Sequence, residues 1–158
     1  MTQPAAATIN TDFGAIAMRK QAGRLKIDLL TTAVANKQSS SDPDIGQSVQ
    51  EILAYLQQAH DQFSLPATLS GSPFQEKVWR AIAAIPLGQT RSYSELAAQL
   101  HSGPRAVANA CGANRLPLLI PCHRVVGKNG LGGFMQGQEN GLTIKRWLLA
   151  HEGVHDYR

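Results

Sequence analysis

The alternation of hydrophobic and polar residues divides the first half of the chain into short strands and one helix. In residues 14–30, the apolar segments GAIAMR and LKIDLL flank a turn-like KQAGR, and Leu25, Ile27 and Leu29 alternate with charged residues. This period of two is typical of a half-buried strand. After a polar loop, apolar residues recur at helical spacing over residues 45–60, which predicts an amphipathic helix.

The second half predicts short helices with clear N-terminal signals. Ser72 with Gln75, and Ser92 with Glu95, each form the capping-box pattern that starts a helix. Further helices are expected from Arg105 to about residue 113 and over residues 142–151. The two helices within residues 92–113 are joined by a tight turn and form a helix-turn-helix candidate, although the pattern by itself favours simple core packing of the pair.

A segment rich in proline and glycine separates the third predicted helix from the last. Pro117 and Pro121 exclude a regular helix there, and the glycines at positions 127, 130, 132 and 133 predict a loop or hairpin. We interpret the apolar run LPLLI and its prolines as a rigid, partly buried segment that positions the residues that follow it, Cys122 and His123.

Composition narrows the class of protein. The 158 residues suit one globular domain or a domain with a small companion, and 43% hydrophobic residues can form a core. No apolar run approaches the roughly 20 residues that cross a bilayer, and no signal peptide is visible, so we expect a soluble, cytoplasmic protein without membrane contacts. Two cysteines exclude a disulfide scaffold and a zinc site made mostly of cysteines.

The positive charge lies in the second half of the chain. The net charge is +4, and residues 71–158 hold ten basic and five acidic side chains whereas residues 1–70 hold five and six. A basic half suits a phosphate-bearing partner such as nucleic acid, although an ordinary solvated surface gives the same balance.

Cys122 and its neighbours are candidates for nucleophilic chemistry. A cysteine attacks as its thiolate; His123 can take the proton, directly or through a water, and Glu152 can orient that imidazole. Adjacent side chains face opposite sides of an extended segment, so this arrangement needs a turn. A small buried hydrophobe explains Cys122 equally well. For Cys111, within a helix of small residues, packing is the better interpretation.

The segment IPCHRVV resembles the active-site signature of the O6-alkylguanine-DNA alkyltransferases, or methylated-DNA–protein-cysteine methyltransferases. The resemblance continues in the same order through SPFQEKVWRAIAAIPLGQTRSYSELA, PRAVANACGAN, LPLLIPCHRVVGKNG and KRWLLAHEG, over about residues 71–153. It implies an α/β N-terminal domain of short strands plus a helix at residues 1–70, which matches only loosely. A mainly α, winged helix-turn-helix-like domain for DNA binding and catalysis would follow at residues 71–158.

The resemblance implies DNA repair by direct reversal. Family members bind double-stranded DNA in the minor groove, flip the damaged guanine into a pocket and move its O6-alkyl group irreversibly to a cysteine, here Cys122. By the same resemblance we expect O4-alkylthymine to react as well, with a monomer, no cofactor and no metal. Some relatives hold a structural zinc, but residues 1–70 contain no cysteine and one histidine, His60. The alternative is a non-catalytic alkyltransferase-like lesion-binding protein, although such proteins usually replace this cysteine with tryptophan.

The family's catalytic residues match positions of this sequence. His123 matches the histidine that acts on the thiol through a water, and Glu152 matches the carboxylate that completes the relay. Asn114 matches the asparagine that braces the active-site turn. Tyr93 matches the tyrosine beside the flipped nucleotide, which can donate a proton to guanine.

The resemblance also implies DNA-contacting and pocket residues. Arg105 matches the arginine that fills the space left by the flipped base. The small residues Ala106 and Ala108 would let their helix press into the minor groove, and Arg124 is also assigned to DNA contact. The expected guanine pocket includes the main chain of Val125 and the side chains of Met135 and Cys111. Two positions depart from the family pattern: Arg115 stands where many members have proline, and Met135 stands where a small residue is usual.

Overall fold

The computed structural model describes residues 6–34, 39–66, 69–134 and 141–157. The chain divides into two compact units. The first consists of residues 1–69 and 115–117, and the second of residues 70–114 and 118–158. The sequence analysis placed residues 115–117 in the region 71–158. They belong to the first unit because the Arg115 carbonyl accepts a hydrogen bond from the Ile27 N–H of that unit.

The first unit contains a three-stranded antiparallel sheet in the order β1-β2-β3. Its strands are β1 (Ala6–Thr11), β2 (Gly14–Gln21) and β3 (Arg24–Leu30). The sequence predicted β2 and β3 but not β1, because AATINT lacks clear alternation and forms a strand through its pairing with β2. The edge strand β3 also pairs outward, since the Ile27 N–H donates to the Arg115 carbonyl at 3.0 Å and the Arg115 side chain contacts that of Gln21.

One helix, α1 (Pro43–Gln57), completes the first unit. Asp42 caps its N-terminus by accepting from the N–H groups of Asp44 and Ile45. The predicted range of 45–60 was therefore late at its start and too long at its end. The helix buries Ile45, Ile52 and Tyr55, which lie on one face of the helix.

The second unit begins with three helices: α2 (Pro73–Ala83), α3 (Tyr93–Gln99) and α4 (Pro104–Gly112). Both predicted capping boxes are present, at Ser72 and Ser92. A long-range hydrogen bond, 2.9 Å from the Trp79 indole N–H to the Ala110 carbonyl, joins α2 to α4. This bond uses a carbonyl in the last turn of α4, close to Cys111.

A 3₁₀ turn at Cys122–Arg124 supplies the change of direction that the adjacent cysteine and histidine require. It leads into β5 (Val125–Val126), which pairs in parallel with β4 (Arg91–Ser92). The last helix, α5 (Gly141–His151), carries the chain back to the turn.

The architecture is therefore α/β, a small antiparallel sheet with one helix followed by a unit built mainly from helices. Within the described ranges no helix is long and apolar enough to cross a membrane.

Candidate active site

The 3₁₀ turn and the end of α5 bring together a buried histidine and a buried carboxylate. His123 Nε2 lies 2.7 Å from Glu152 Oε2, and both side chains are almost completely buried. Because Nε2–H donates to the carboxylate, the neutral ring carries its lone pair on Nδ1. That Nδ1 atom is buried and has no hydrogen-bond partner among the described residues. An unpaired nitrogen of this kind is available as a proton acceptor.

The environment sets the charges of this pair. Burial lowers the pKa of His123 and outweighs the opposing effect of Glu152, so the imidazole is neutral at neutral pH. Burial alone would raise the pKa of Glu152, but hydrogen bonds and charge from His123 and Arg124 outweigh it and hold the pKa at about 2. The site thus holds a neutral imidazole against a permanently charged carboxylate.

Arg124 has a different position from the DNA-contacting one that the sequence predicted. Its side chain is buried, and its Nε and Nη2 atoms donate to the two oxygens of Glu152 at 2.8 and 3.2 Å. Its Nη1 donates to the Ile85 carbonyl at 2.7 Å. A guanidinium that is buried and bonded within the protein does not reach a DNA phosphate, so we correct its assignment. Arg124 fixes and charges Glu152.

Asn114 holds the sulfur of Cys122. Its Nδ2 donates to Cys122 Sγ at 3.1 Å and to the Ile120 carbonyl at 2.9 Å. The side-chain amide therefore bridges the Cys122 sulfur and the backbone two residues before it. The bracing role that the resemblance implies for Asn114 stays a prediction.

The two cysteines of the chain lie side by side. The Cys122 thiol donates to the Cys111 carbonyl oxygen, with Sγ at 3.8 Å from that oxygen. The hydrogen bond with Cys111 and burial raise the pKa of the Cys122 thiol. Cys122 therefore needs a base before it can attack, and His123 is the base at hand.

The glycine-containing loop at residues 127–134 packs against Tyr93. The Tyr93 hydroxyl donates to the Gly133 carbonyl at 3.4 Å, and burial raises the pKa of this phenol to about 12, so it stays protonated. Gly132 has φ +76°, and a Cβ there would lie 3.0 Å from the Tyr93 ring and 3.0 Å from the Gly127 nitrogen. Glycine is thus required at 132 both by the backbone conformation and by the close approach to Tyr93.

Lys145 is a buried residue of the site that the sequence did not reveal. Its Nζ donates to the carbonyls of Val125 and Gly133 at 2.7 and 2.8 Å, and burial lowers its pKa to about 8. The ammonium group therefore joins β5 to the glycine-containing segment at Gly133. The spacing along α5 could have indicated that Lys145 is buried, because it lies seven residues before Glu152 on the buried face of that helix.

The remaining predicted residues occupy the surface or the pocket wall. Arg105 and Ala108 are exposed on α4, Ala106 is half-buried, and the buried face of that helix consists of Val107 and Ala110. The Val125 backbone faces Lys145, as described. Met135 lies outside the described residues, so its place in the pocket stays a prediction.

The functional groups of this site are suited to proton transfer and nucleophilic attack. A thiol, a neutral imidazole with a free lone pair, a charged carboxylate and a protonated phenol are gathered in one unit. No group of three or more metal-binding side chains occurs within the described ranges. The arrangement can deprotonate Cys122 and return a proton to a leaving group.

Comparison with protein families gives a match over residues 73–154 to the model described as 6-O-methylguanine DNA methyltransferase, DNA binding domain. The chain is 45% identical over 117 residues to a probable methylated-DNA–protein-cysteine methyltransferase of Acanthamoeba polyphaga mimivirus, covering 72% of this chain and 76% of that protein. It is 42% identical over 124 residues to the constitutive methylated-DNA–protein-cysteine methyltransferase of Bacillus subtilis, covering 77% and 73%.

Solved structures give the same picture. The crystal structure of Mycobacterium tuberculosis O6-methylguanine methyltransferase superposes with a TM-score of 0.74 at 30% identity, covering 93% of this chain and 91% of that one. The structure of the M. tuberculosis protein in complex with DNA gives a TM-score of 0.74 at 31% identity, covering 95% and 93%.

Proposed function

Since the chain belongs to the family of the 6-O-methylguanine DNA methyltransferases, also named methylated-DNA–protein-cysteine methyltransferases, we propose that it repairs DNA by transferring the O6-alkyl group of guanine to Cys122. The single observation that carries the assignment of Cys122 is its sulfur, held by Asn114 beside a neutral histidine that is paired with Glu152. The same chemistry extends to the O4-alkyl group of thymine.

The reaction begins with loss of the thiol proton. His123 takes this proton at Nδ1, through a water, while the Glu152 carboxylate stabilises the imidazolium that forms. The Cys122 thiolate then attacks the alkyl carbon, so that the S–C bond forms as the C–O bond breaks. Since the raised pKa of Cys122 opposes spontaneous ionisation, this base is needed.

The guanine must leave with a proton. Tyr93 donates one from its hydroxyl and regains one from the solvent, while His123 releases the proton that it took from the thiol to the solvent. The net transfer is therefore from the thiol to the base. A pKa of about 12 keeps this phenol protonated before it acts. The product on Cys122 is a thioether, which does not hydrolyse under mild conditions, and each molecule therefore acts once. No cofactor takes part.

DNA binding is assigned to α3 and α4, the two helices of a winged helix-turn-helix-like unit. Support comes from the exposure of Arg105 and Ala108 on α4, together with the net positive charge of residues 71–158. Ala106 and Ala108 allow α4 to enter the narrow minor groove, and Arg105 occupies the space of the flipped nucleotide. Cys111 and the Val125 backbone form the wall of the guanine pocket, and the protein acts as a monomer.

A non-catalytic lesion-binding role is not favoured, because the position that such proteins change is here a cysteine beside a complete proton relay.

The test uses double-stranded DNA that contains one O6-methylguanine. Intact mass spectrometry of the wild-type protein after mixing is expected to show a gain of one methyl group, and Cys122→Ala is expected to show none. A wild-type protein that binds the lesion tightly without gaining mass would instead indicate lesion sensing.

A further inference from the structure

Cys111 and Cys122 are the only two cysteines of the chain, and they contact each other although they come from different elements. Cys111 lies in the last turn of α4 and Cys122 starts the 3₁₀ turn. Both are free thiols, and the Cys122 sulfur lies 3.8 Å from the carbonyl oxygen of Cys111. The proposed alkyl transfer consumes only Cys122, and no bond to the Cys111 sulfur forms or breaks in that reaction.

We propose that Cys111 and Cys122 are a redox modification site, at which a hydroperoxide converts the pair to a reversible intramolecular disulfide that withdraws the alkyl acceptor from use. The loss of repair rests on the proposed function. The disulfide itself does not, because it depends only on the two sulfurs and an oxidant.

The reaction balances as two sequential displacements. The Cys111 thiolate attacks a peroxide oxygen, the O–O bond breaks, and Cys111 becomes a sulfenic acid while the other oxygen leaves as water or alcohol. The sulfur of Cys122 then attacks the sulfur of Cys111, the S–S bond forms, and the S–O bond breaks with release of a second water. Two thiols lose two protons and two electrons, and the peroxide is reduced. A dithiol reductant reverses the change.

The order of the two steps follows from exposure and charge. Cys111 is partly exposed whereas Cys122 is buried, so a peroxide reaches Cys111 first. The hydrogen bond with Cys122 lowers the pKa of Cys111, and the Lys145 ammonium acts in the same direction. Cys111 is therefore the thiol that ionises more readily, and Cys122 is placed to resolve its sulfenic acid.

The disulfide requires the two sulfurs to move together. A disulfide needs about 2.05 Å between sulfur atoms, and the Cys122 sulfur already lies 3.8 Å from the Cys111 carbonyl oxygen. Cys111 is the penultimate residue of α4, where a helix adjusts more easily than in its middle. The Asn114 amide donates to Cys122 Sγ, and the release of this hydrogen bond is part of the change.

The experiment detects the disulfide between Cys111 and Cys122 by mass spectrometry. Fully reduced protein is treated with hydrogen peroxide, blocked with N-ethylmaleimide, and measured by intact mass and by tryptic mapping without reduction. We expect a monomer that has lost two hydrogen atoms and takes up no maleimide. Arg105, Arg115 and Arg124 place the cysteines on separate tryptic peptides, 106–115 and 116–124, so we also expect these two peptides to appear linked. Dithiothreitol should separate them.

Cys111→Ser is the matched variant, with each protein compared with its own reduced form. After peroxide and then dithiothreitol, wild-type protein should regain nearly all of its methyl transfer. The variant should instead gain oxygen atoms at Cys122 and recover only in part, because no neighbouring thiol intercepts its sulfenic acid.

Three outcomes would overturn the disulfide: a wild-type mass that rises by oxygen atoms, linked peptides found only in dimers, or a mass unchanged at peroxide levels that oxidise free cysteine fully. A reversible loss of methyl transfer as large in Cys111→Ser as in the wild-type protein would also overturn it, because the variant cannot form the linkage. A reduced wild-type protein that forms the linked peptides but transfers no methyl group would refute the proposed function and leave the disulfide standing.

Discussion

Glu152 accepts hydrogen bonds from both residues that follow Cys122. His123 uses one carboxylate oxygen, and Arg124 uses both. A buried carboxylate with these partners stays ionised, and its charge favours protonation of the histidine at the moment when the thiol gives up its proton. At the scale of residues, the chemistry of Cys122 thus depends on a guanidinium that contacts neither the thiol nor, in our interpretation, the DNA.

Replacing Arg124 tests that assignment. Arg124→Met removes one partner of a buried ion pair and leaves the carboxylate short of donors, which should lower the free energy of unfolding by about 3–5 kcal/mol. Urea denaturation followed by circular dichroism measures the change. Arg80→Met is the control, since that side chain is 67% exposed and should alter stability by less than about 0.5 kcal/mol. A stable Arg124→Met protein with weaker, less salt-dependent DNA binding would restore the DNA-contacting role.

At the scale of elements, the site is assembled from the ends of helices and from turns. The 3₁₀ turn presents Cys122, the end of α4 presents Cys111, the end of α5 presents Glu152, and the start of α3 presents Tyr93. The glycine loop at 127–134 covers the phenol and is joined to α5 by Lys145. These contacts place the pocket wall, so we expect small backbone shifts in the loop to affect the reaction.

Gly132→Ala is expected to disturb that loop. The added Cβ would lie 3.0 Å from both the Tyr93 ring and the Gly127 nitrogen, at a φ of +76° that alanine rarely adopts. The rate constant for methyl transfer in single-turnover kinetics should fall about tenfold to a hundredfold, as for other small displacements of catalytic groups. Gly133→Ala is the matched control, because a Cβ there meets nothing within 4 Å. Equal rates for both variants would show that the loop does not position Tyr93.

Arg105 tests the role of α4 in base flipping. Arg105→Ala should slow methyl transfer in double-stranded DNA by about tenfold or more, because an empty base position costs unstacking energy. The same variant should react with iodoacetamide at the wild-type rate, since Arg105 is exposed whereas His123 and Glu152 are buried. Arg80→Ala controls for the loss of one positive charge. If both reactions slow equally, Arg105 serves the fold of the unit instead.

At the scale of the whole molecule, a net charge of +4 is combined with a buried ionised site. The excess belongs to residues 71–158, which hold all the residues proposed for DNA contact and catalysis. Two buried groups contribute to the dependence of the free energy of unfolding on pH below neutrality, and the folded state requires both of them to be unprotonated. Glu152 must stay charged, and His123 must stay neutral.

Stability should therefore fall on acidification in two stages. The folded state lowers the pKa of His123, so the unfolded chain binds the extra proton first as the pH falls below about 6.5. The Glu152 contribution is complete above about pH 4.5 and is lost as the pH falls towards about 2, on the order of 3 kcal/mol. Urea unfolding at a series of pH values measures the curve. Glu152→Gln should reduce the loss of stability between about pH 4.5 and pH 2. Asp156→Asn is the control, because it replaces an exposed carboxylate and should leave this loss unchanged. If Glu152→Gln and the wild-type protein lose stability with the same slope in this pH range, Glu152 is not the cause.

The sequence by itself determined the local elements and the identity of the chemistry. The capping boxes at Ser72 and Ser92 predicted two helix starts, because a cap is satisfied by atoms three residues away. The signature around Cys122 led to the family that the comparisons establish, and it pointed to His123, Glu152 and Asn114 before their contacts were known.

Only the tertiary structure decided what depends on partners distant in the chain. It paired β1 with β2, joined residues 115–117 to the edge of β3, buried Arg124 against Glu152, and brought Lys145 to two carbonyls. It also placed Cys111 against Cys122, eleven residues apart. None of these contacts has a local pattern, because a charged or thiol side chain takes its role from whichever groups packing brings within hydrogen-bonding distance.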